Sequence, residues 1–432
     1  MKLLQSSKIN AFGGINFVLD EFERLNLGSF LSANLPELAA NSAYGWKDLF
    51  YTFASIYHCG GDCIEDAKTV LSRQFSANPI FRLCSPDTLL RRFRQLATPG
   101  QTCTTPRGRA VHELNYNDRL ADLNIKLLKK SGKFNSGATV IDYDNTIVFN
   151  EKRDSRMTYK RDYGYQPGVC ILNEDSVLYI ENRNGNSDAK SFQADTLGRV
   201  FSRLEDNGIT GIDVFRADAA SYQFEVVGLL EGKVKAFYIG AVNSCVEKYF
   251  PRITDWQKGK DQKGEDILMG EIEILPFAKH YKAGQEPRAY RLLVKKKLRP
   301  DGQVNAFTQE PYDYRAVMTN DLDSNVAEAL GTYHRRGAAE KQFDVLKNDF
   351  GWNRMPFSSL SENTVFLYFA SLCRNLYAVV LEKLCRKFRH LRPTYRIKRF
   401  VFQFVAVPAK WVRRSRQWHL RVYGKIPPPL EI

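Results

Sequence analysis

The chain has 432 residues, 44% of them hydrophobic and 26% charged, enough for about two to four domains with buried cores. Lys and Arg number 63 against 48 Asp and Glu, a formal charge of +15 with a pI near 9.3, and this balance favours a polyanionic partner. No stretch approaches the roughly 18 to 20 uninterrupted apolar residues of a membrane span, and the start lacks the apolar core of a signal peptide, so a cytoplasmic protein with no membrane partner is expected.

Residues 1–112 read as a helical domain. Phe17, Leu19, Phe22 and Leu25 give one amphipathic stripe, and Trp46, Leu49, Phe50, Phe53 and Ile56 a second. Ser85-Pro86 is a strong helix start, and the helix after it carries Arg91, Arg92 and Arg94, a candidate DNA-recognition helix or a capped basic surface helix. Residues 1–100 hold ten basic and nine acidic groups, so any DNA contact there must be local. Residues 101–134 read as a linker followed by one helix, with the domain boundary at about 113. The eight cysteines repeat no short paired spacing, which excludes a disulfide framework and a zinc ribbon; His58, Cys59 and Cys63 form an isolated trio without a second pair.

The run Ala138 to Phe149 is β-branched and apolar yet holds Asp142 and Asp144, two positions apart and therefore on one face of a strand. A carboxylate in such a strand needs a cation, a metal or strong donors. Strands near 168–172 and 177–182, a helix near 190–206 and a strand 212–217 follow, the last ending on Asp218, which reads as a strand-end site residue or a helix N-cap. A helix near 220–231 and a strand 236–240 complete a core over 135–241. This order predicts an α/β fold, a mixed sheet flanked by helices. Residues 242–320 break the alternation and read as an inserted, mostly β subdomain containing Trp256.

In the second part of the core, 321–390, Tyr333, Arg336, Glu340 and Lys347 sit at offsets of 3, 7 and 14. At about 100° per residue these four lie within an arc of roughly 60° on one helix face. A phenol, two cations and one carboxylate suit a site that holds a phosphate beside a metal-bound oxygen, although Arg and Glu four apart are also an ordinary surface pair. Ser359 and Glu362 start a long apolar helix. From Lys383 to Lys425 there are fourteen Lys and Arg and no acid, interleaved with aromatics, and residues 391–432 read as a basic segment suited to tracking a nucleic-acid backbone.

The Tyr-x2-Arg-x3-Glu-x6-Lys spacing, preceded by an Asp-Asn-Thr strand and an Arg-Ala-Asp strand in that order, resembles the DDE transposases of bacterial insertion sequences, in the cut-and-paste branch. The resemblance implies a ribonuclease H-like core and makes Asp144, Asp218 and Glu340 the catalytic acids. They would hold two Mg2+ ions, for which Mn2+ may substitute, with Asp142 as an alternative metal ligand. It further implies that Tyr333, Arg336 and Lys347 grip a DNA end phosphate and that Trp256 is a candidate to stack on a flipped base. The implied partners are double-stranded DNA, both terminal inverted repeats and target, and a second copy of the chain. The implied place of action is the bacterial nucleoid. Two alternatives stand beside it: a haloacid dehalogenase-like phosphatase that would use Asp142 as nucleophile, and a transposase-derived DNA-binding protein without catalysis.

Overall fold

The structure is a computed structural model and describes residues 8–105, 110–135, 137–261, 263–305 and 308–424. Its first layer is helical: α1 (Ile15–Arg24), α2 (Leu27–Asn34), α3 (Trp46–His58), a single turn α4 (Ser72–Gln74) and α5 (Pro86–Leu96). The two apolar stripes expected from the sequence are the inward faces of α1 and α3, with Leu19, Phe22, Leu49, Phe50, Phe53 and Ile56 all buried. Ser85 caps α5 by accepting a hydrogen bond from the Thr88 N–H at 3.3 Å.

Residues read as a linker form a hairpin instead. β1 (Gln101–Thr104) pairs with β2 (Val111–Asn115), and Leu114 and Asn115 of β2 continue onto the edge of the main sheet. After α6 (Asp118–Lys130) come β3 (Val140–Asn145) and a small three-stranded sheet of β4 (Val148–Phe149), β5 (Arg156–Met157) and β6 (Tyr163–Tyr165). The core proceeds through β7 (Gly168–Leu172), β8 (Ser176–Arg183), α7 (Gln193–Asp206), β9 (Ile212–Ala217), α8 (Phe224–Glu231) and β10 (Val234–Gly240). The strands order as β8-β7-β3-β9-β10, with β3, β9 and β10 parallel and β7 and β8 antiparallel to their neighbours. That is the ribonuclease H-like arrangement: a hairpin meander, then helical crossovers that lengthen the sheet on its other side.

The insertion does not leave the sheet. After the short α9 (Asn243–Val246), the strands β11 (Gln257–Lys260), β12 (Asp266–Ile274), β13 (Tyr290–Leu298) and β14 (Tyr312–Thr319) are antiparallel, and β14 pairs with β10, so one sheet of eleven strands runs from β1 to β11. α10 (Val326–His334) lies on the insertion side of this sheet, and α11 (Ala338–Asp349) follows a single 3-10 turn, Arg335–Gly337.

α12 (Leu360–Lys387) is the one helix among the described residues long and apolar enough to cross a membrane, and its apolar window is 94% buried inside this protein. It is the central core helix. Phe366 and Phe369 meet Phe53 and Phe93 at ring distances of 4.3 to 6.2 Å, so the first helical layer and the sheet share one hydrophobic core. The chain ends with α13 (Ile397–Phe400) and the hairpin of β15 (Ala409–Arg414) and β16 (Gln417–Val422). Phe388, Leu391, Ile397, Phe400, Phe404 and Val405 are buried, so the apolar residues of the first half of the basic segment belong to the core. Exposed cations lie on both halves, Arg386, Arg389, Arg392, Arg396, Lys398 and Arg399 before the hairpin and Arg413, Arg414, Arg416 and Arg421 on it.

Candidate active site

Adjacent parallel strands β3 and β9 pair Asp142 with Arg216 and Tyr143 with Ala217. Extending that register by one step sets Asp144 beside Asp218 at the C-terminal ends of the strands, the edge where open α/β sheets place their chemistry. Burial pushes the Asp144 carboxyl up to about 6; Arg336 opposes that rise and the nearby Asp218 adds to it. Asp218 also accepts from the Ala220 N–H at 2.9 Å, so it caps the following 3-10 turn as well as facing Asp144. The N-cap and strand-end readings of this residue are therefore compatible.

The helix carrying the third acid is broken where the sequence predicts continuity. Gly337, a poor helix former, lies in the 3-10 turn between α10 and α11. The break still brings the four spaced residues to one place. Arg336 donates from Nη1 to Asp144 Oδ2 at 2.9 Å, and its Nη2 lies 3.7 Å from Glu340 Oε1. Lys347 Nζ donates to Thr146 Oγ1 at 2.6 Å, which ties α11 to the turn after β3. Tyr333 is largely buried near Arg336, Asp218 and Asp144, and its phenol lies over Gly240, where an added Cβ would approach the hydroxyl oxygen to 2.7 Å.

Three oxygen-donor side chains from separate segments suit a hard divalent cation. The fit is supported by Asp144, whose ionisation is opposed by burial and by a second carboxylate, the electrostatic situation a cation relieves. Among the described residues the three carboxylates are not drawn within 4.8 Å of one another. Arg336 reaches both Asp144 and Glu340, and the Glu340 side chain is 69% exposed.

Asp142 requires a correction. Its two oxygens accept from Arg216 Nε at 2.6 Å and Nη2 at 2.7 Å, and both side chains are completely buried. Both oxygens are engaged by Arg216, so in this arrangement Asp142 serves as an ion-pair partner. Arg216 also donates to the Thr332 carbonyl at 2.9 Å and to Glu174 at 3.0 Å. It thereby fastens β3, β9, the β7–β8 turn and the end of α10 together. Position 216 lies inside the Arg-Ala-Asp motif, yet only the strand register reveals its partner.

Three other expectations fare differently. Arg92 donates to Gln95 and Ser42 at 2.9 Å, while Arg94 lies 3.5 Å from Glu362 of α12 and over the Phe357 ring. Arg92 is half-buried while Arg91 and Arg94 stay exposed, so α5 presents two of the trio to solvent. Trp256 is partly buried against Tyr314, donates to the Ile253 carbonyl at 2.9 Å and has Lys296 over its ring at 4.2 Å. Its faces are used in subdomain packing, against base stacking in this arrangement. His58 donates from Nδ1 to the Ala54 carbonyl at 2.8 Å within an aromatic cluster, and among the described residues Cys63 groups with Asp62 and Asp66 and not with His58 and Cys59.

The sequence profile of the family described as Transposase DDE domain group 1 matches residues 8–428. The chain belongs to this family. A DDE transposase core explains the strand-end acids and leaves no place for the phosphatase alternative, whose nucleophile would be the sequestered Asp142. No curated protein matches the chain. Among solved structures it is similar to the piggyBac transposase synaptic complex with hairpin DNA, at 8% identity and TM-score 0.40 over 93% of this chain and 82% of that one. It is also similar to the Mos1 strand transfer complex, at 14% identity and TM-score 0.17 over 49% and 64%. These likenesses are remote and add nothing to the family assignment.

Proposed function

We propose that this DDE transposase is an insertion-sequence enzyme that binds the terminal inverted repeats of its element, cleaves the ends by metal-dependent phosphodiester hydrolysis or transesterification, and joins the 3′ ends to target DNA. One observation carries the proposal: a guanidinium, Arg336, lies between Asp144 and Glu340 at the strand ends where Asp218 also sits. A cation that can make two parallel hydrogen bonds to a phosphate is thereby placed against the three acids that would serve its hydrolysis.

Asp144, Asp218 and Glu340 would hold two Mg2+ ions, with Mn2+ a substitute. Such ions supply charge stabilisation to the attacking and leaving oxygens of an in-line displacement. The chain's own contribution is positioning. Arg336 would exchange Asp144 for a nonbridging phosphate oxygen, Tyr333 would fix the guanidinium from the Gly240 side, and Lys347 would hold the strand near Thr146. Exposed Arg413, Arg414, Arg416 and Arg421 of the C-terminal hairpin would contact the DNA backbone, which is why no acid interrupts that segment. We infer a homodimer on paired ends, acting at the nucleoid of a bacterial cytoplasm.

The test uses duplexes carrying the inverted repeats that flank this reading frame, with Mg2+. Asp218→Asn and Glu340→Gln should each abolish strand cleavage while keeping repeat binding, and Arg336→Ala should lower cleavage by about a hundredfold with much less effect on binding. Metal-dependent cleavage surviving in either acid variant would sink the assignment.

A further inference from the structure

α10 covers the insertion side of the sheet with Val326, Ala329 and Leu330 against Leu293 of β13 and Val317 of β14. Strand side chains alternate faces, so the next residues on this face are Lys295 and Arg315, and these two are direct partners across the strands. Apolar contact gives way there to a cleft of roughly 740 Å³ whose lining includes Lys295, Arg315, His334 and Arg336. The cleft therefore reaches from the acid-bearing strand ends out along the insertion.

Arg336 is paired with Asp144, whereas Lys295 and Arg315 are not matched by a carboxylate. Lys295 Nζ lies 2.5 Å from His334 Nε2, so the imidazole acts as acceptor and is neutral. Burial, then Lys295 and Arg315, hold the His334 pKa down to about 4. The nearby carboxylates are engaged elsewhere, Asp313 with Arg299 at 3.2 Å and Asp261 with Lys297 at 3.8 Å. Lys295 and Arg315 form no ion pair among the described residues. Like charges directly opposed on neighbouring strands are destabilising, and a half-buried ammonium without a counter-charge adds to the cost. An anion in the cleft would remove both penalties.

We propose that Lys295, Arg315 and His334 form a second phosphodiester-binding subsite, contributed by the insertion, which holds the DNA backbone within one or two nucleotides of the phosphate gripped by Arg336. The subsite rests on the reading of Asp144, Asp218 and Glu340 as the cleavage centre. A phosphate seated there would accept from Lys295 and Arg315 at once, so the insertion would align the strand that the acids cut. Binding and cleavage are thus coupled through β13 and β14.

The experiment compares wild-type protein with the double variant Lys295→Gln, Arg315→Gln on repeat duplexes. Affinity is measured across a salt series, and single methylphosphonate substitutions are scanned around the cleavage position. The variant should lose about one to two units of salt slope. Wild type should lose about tenfold in affinity at one or two neutralised phosphates beside the cut, and the variant should be indifferent at those positions while responding normally elsewhere. Thermal melting of the DNA-free variant should be no lower than wild type, since a repulsive pair has been removed. An unchanged slope with an unchanged methylphosphonate profile would make these cations partners of the α10 C-terminus only and overturn the proposal. If Asp218→Asn still cleaves while the slope change is observed, the cleavage-centre reading fails and the phosphate subsite stands.

Discussion

Asp144 keeps its proton to about pH 6 in the metal-free chain, where an unburied aspartate has lost it near pH 4. A carboxyl whose folded pKa is raised favours the folded state below about pH 4 and loses that contribution as the pH climbs through 6, on the order of 2–3 kcal/mol. A divalent cation binds the ionised form and reverses the penalty. Thermal melting should accordingly show Mg2+ raising the midpoint at pH 7.5 much more than at pH 5, with Asp144→Asn removing the difference; equal shifts at both pH values would contradict the assignment. Asp142 should behave in another way. Asp142→Asn leaves Arg216 buried without its bidentate partner, so unfolding should become easier by about 3–5 kcal/mol whether or not metal is present. The two acids were distinguishable in the sequence only by the Asp-x-Thr pattern after Asp144. Asp142 looked equally available because a strand pattern gives the face of a residue and not the cation opposite it.

At the scale of elements, Arg336 lies beside Tyr333 and Glu340 while Lys347 reaches Thr146, and the 3-10 turn that interrupts their helix has no periodic signature. Nor does Gly240, a lone glycine at a strand end, reveal that Tyr333 sits over it. A Cβ there would meet the Tyr333 hydroxyl at 2.7 Å and the Ala219 nitrogen at 3.0 Å. Gly240→Ala should therefore displace the phenol and reduce cleavage about tenfold or more, with a smaller loss in the Tyr333→Phe background because the clashing oxygen is gone. Cleavage assays on the four members of that cycle would check it; strict additivity would mean that the two positions do not touch. The acidless C-terminal run was legible as basic, but its apportionment was not, since Phe400 and Phe404 face the core while Arg413, Arg414 and Arg416 face water. Replacing those three arginines with Gln should flatten the salt dependence of DNA binding without lowering the melting temperature.

Across the whole molecule, the mixed sheet followed from the alternation of strand and helix patterns, whereas the separateness suggested for residues 1–112 did not survive as a separate core. Amphipathic stripes announce that a face is buried without naming what buries it. Phe53 meets Phe366 and Phe369 of α12 at 5.9 and 6.2 Å, more than three hundred positions along the chain. Phe369→Ala should cost about 3–5 kcal/mol and should loosen α3 and α5 together with the sheet, as hydrogen exchange on the metal-free protein would show. Protection lost in the helical layer alone would indicate two independent cores.

The early and late parts of the chain are also stitched by main-chain bonds: Asn10 and Ala409 exchange hydrogen bonds at 2.8 Å in both directions, and Gly13 donates to Val407 at 2.6 Å. A side chain at Gly13 or Gly14 would collide with the backbone of 404–407, so only glycine admits this seam. The first helical layer consequently stays unfinished on the ribosome until synthesis has passed residue 409. A gene copy decayed by a stop codon after Glu340 but before that point would still encode Asp144, Asp218 and Glu340, and its product would lack the strand against which its own beginning must close.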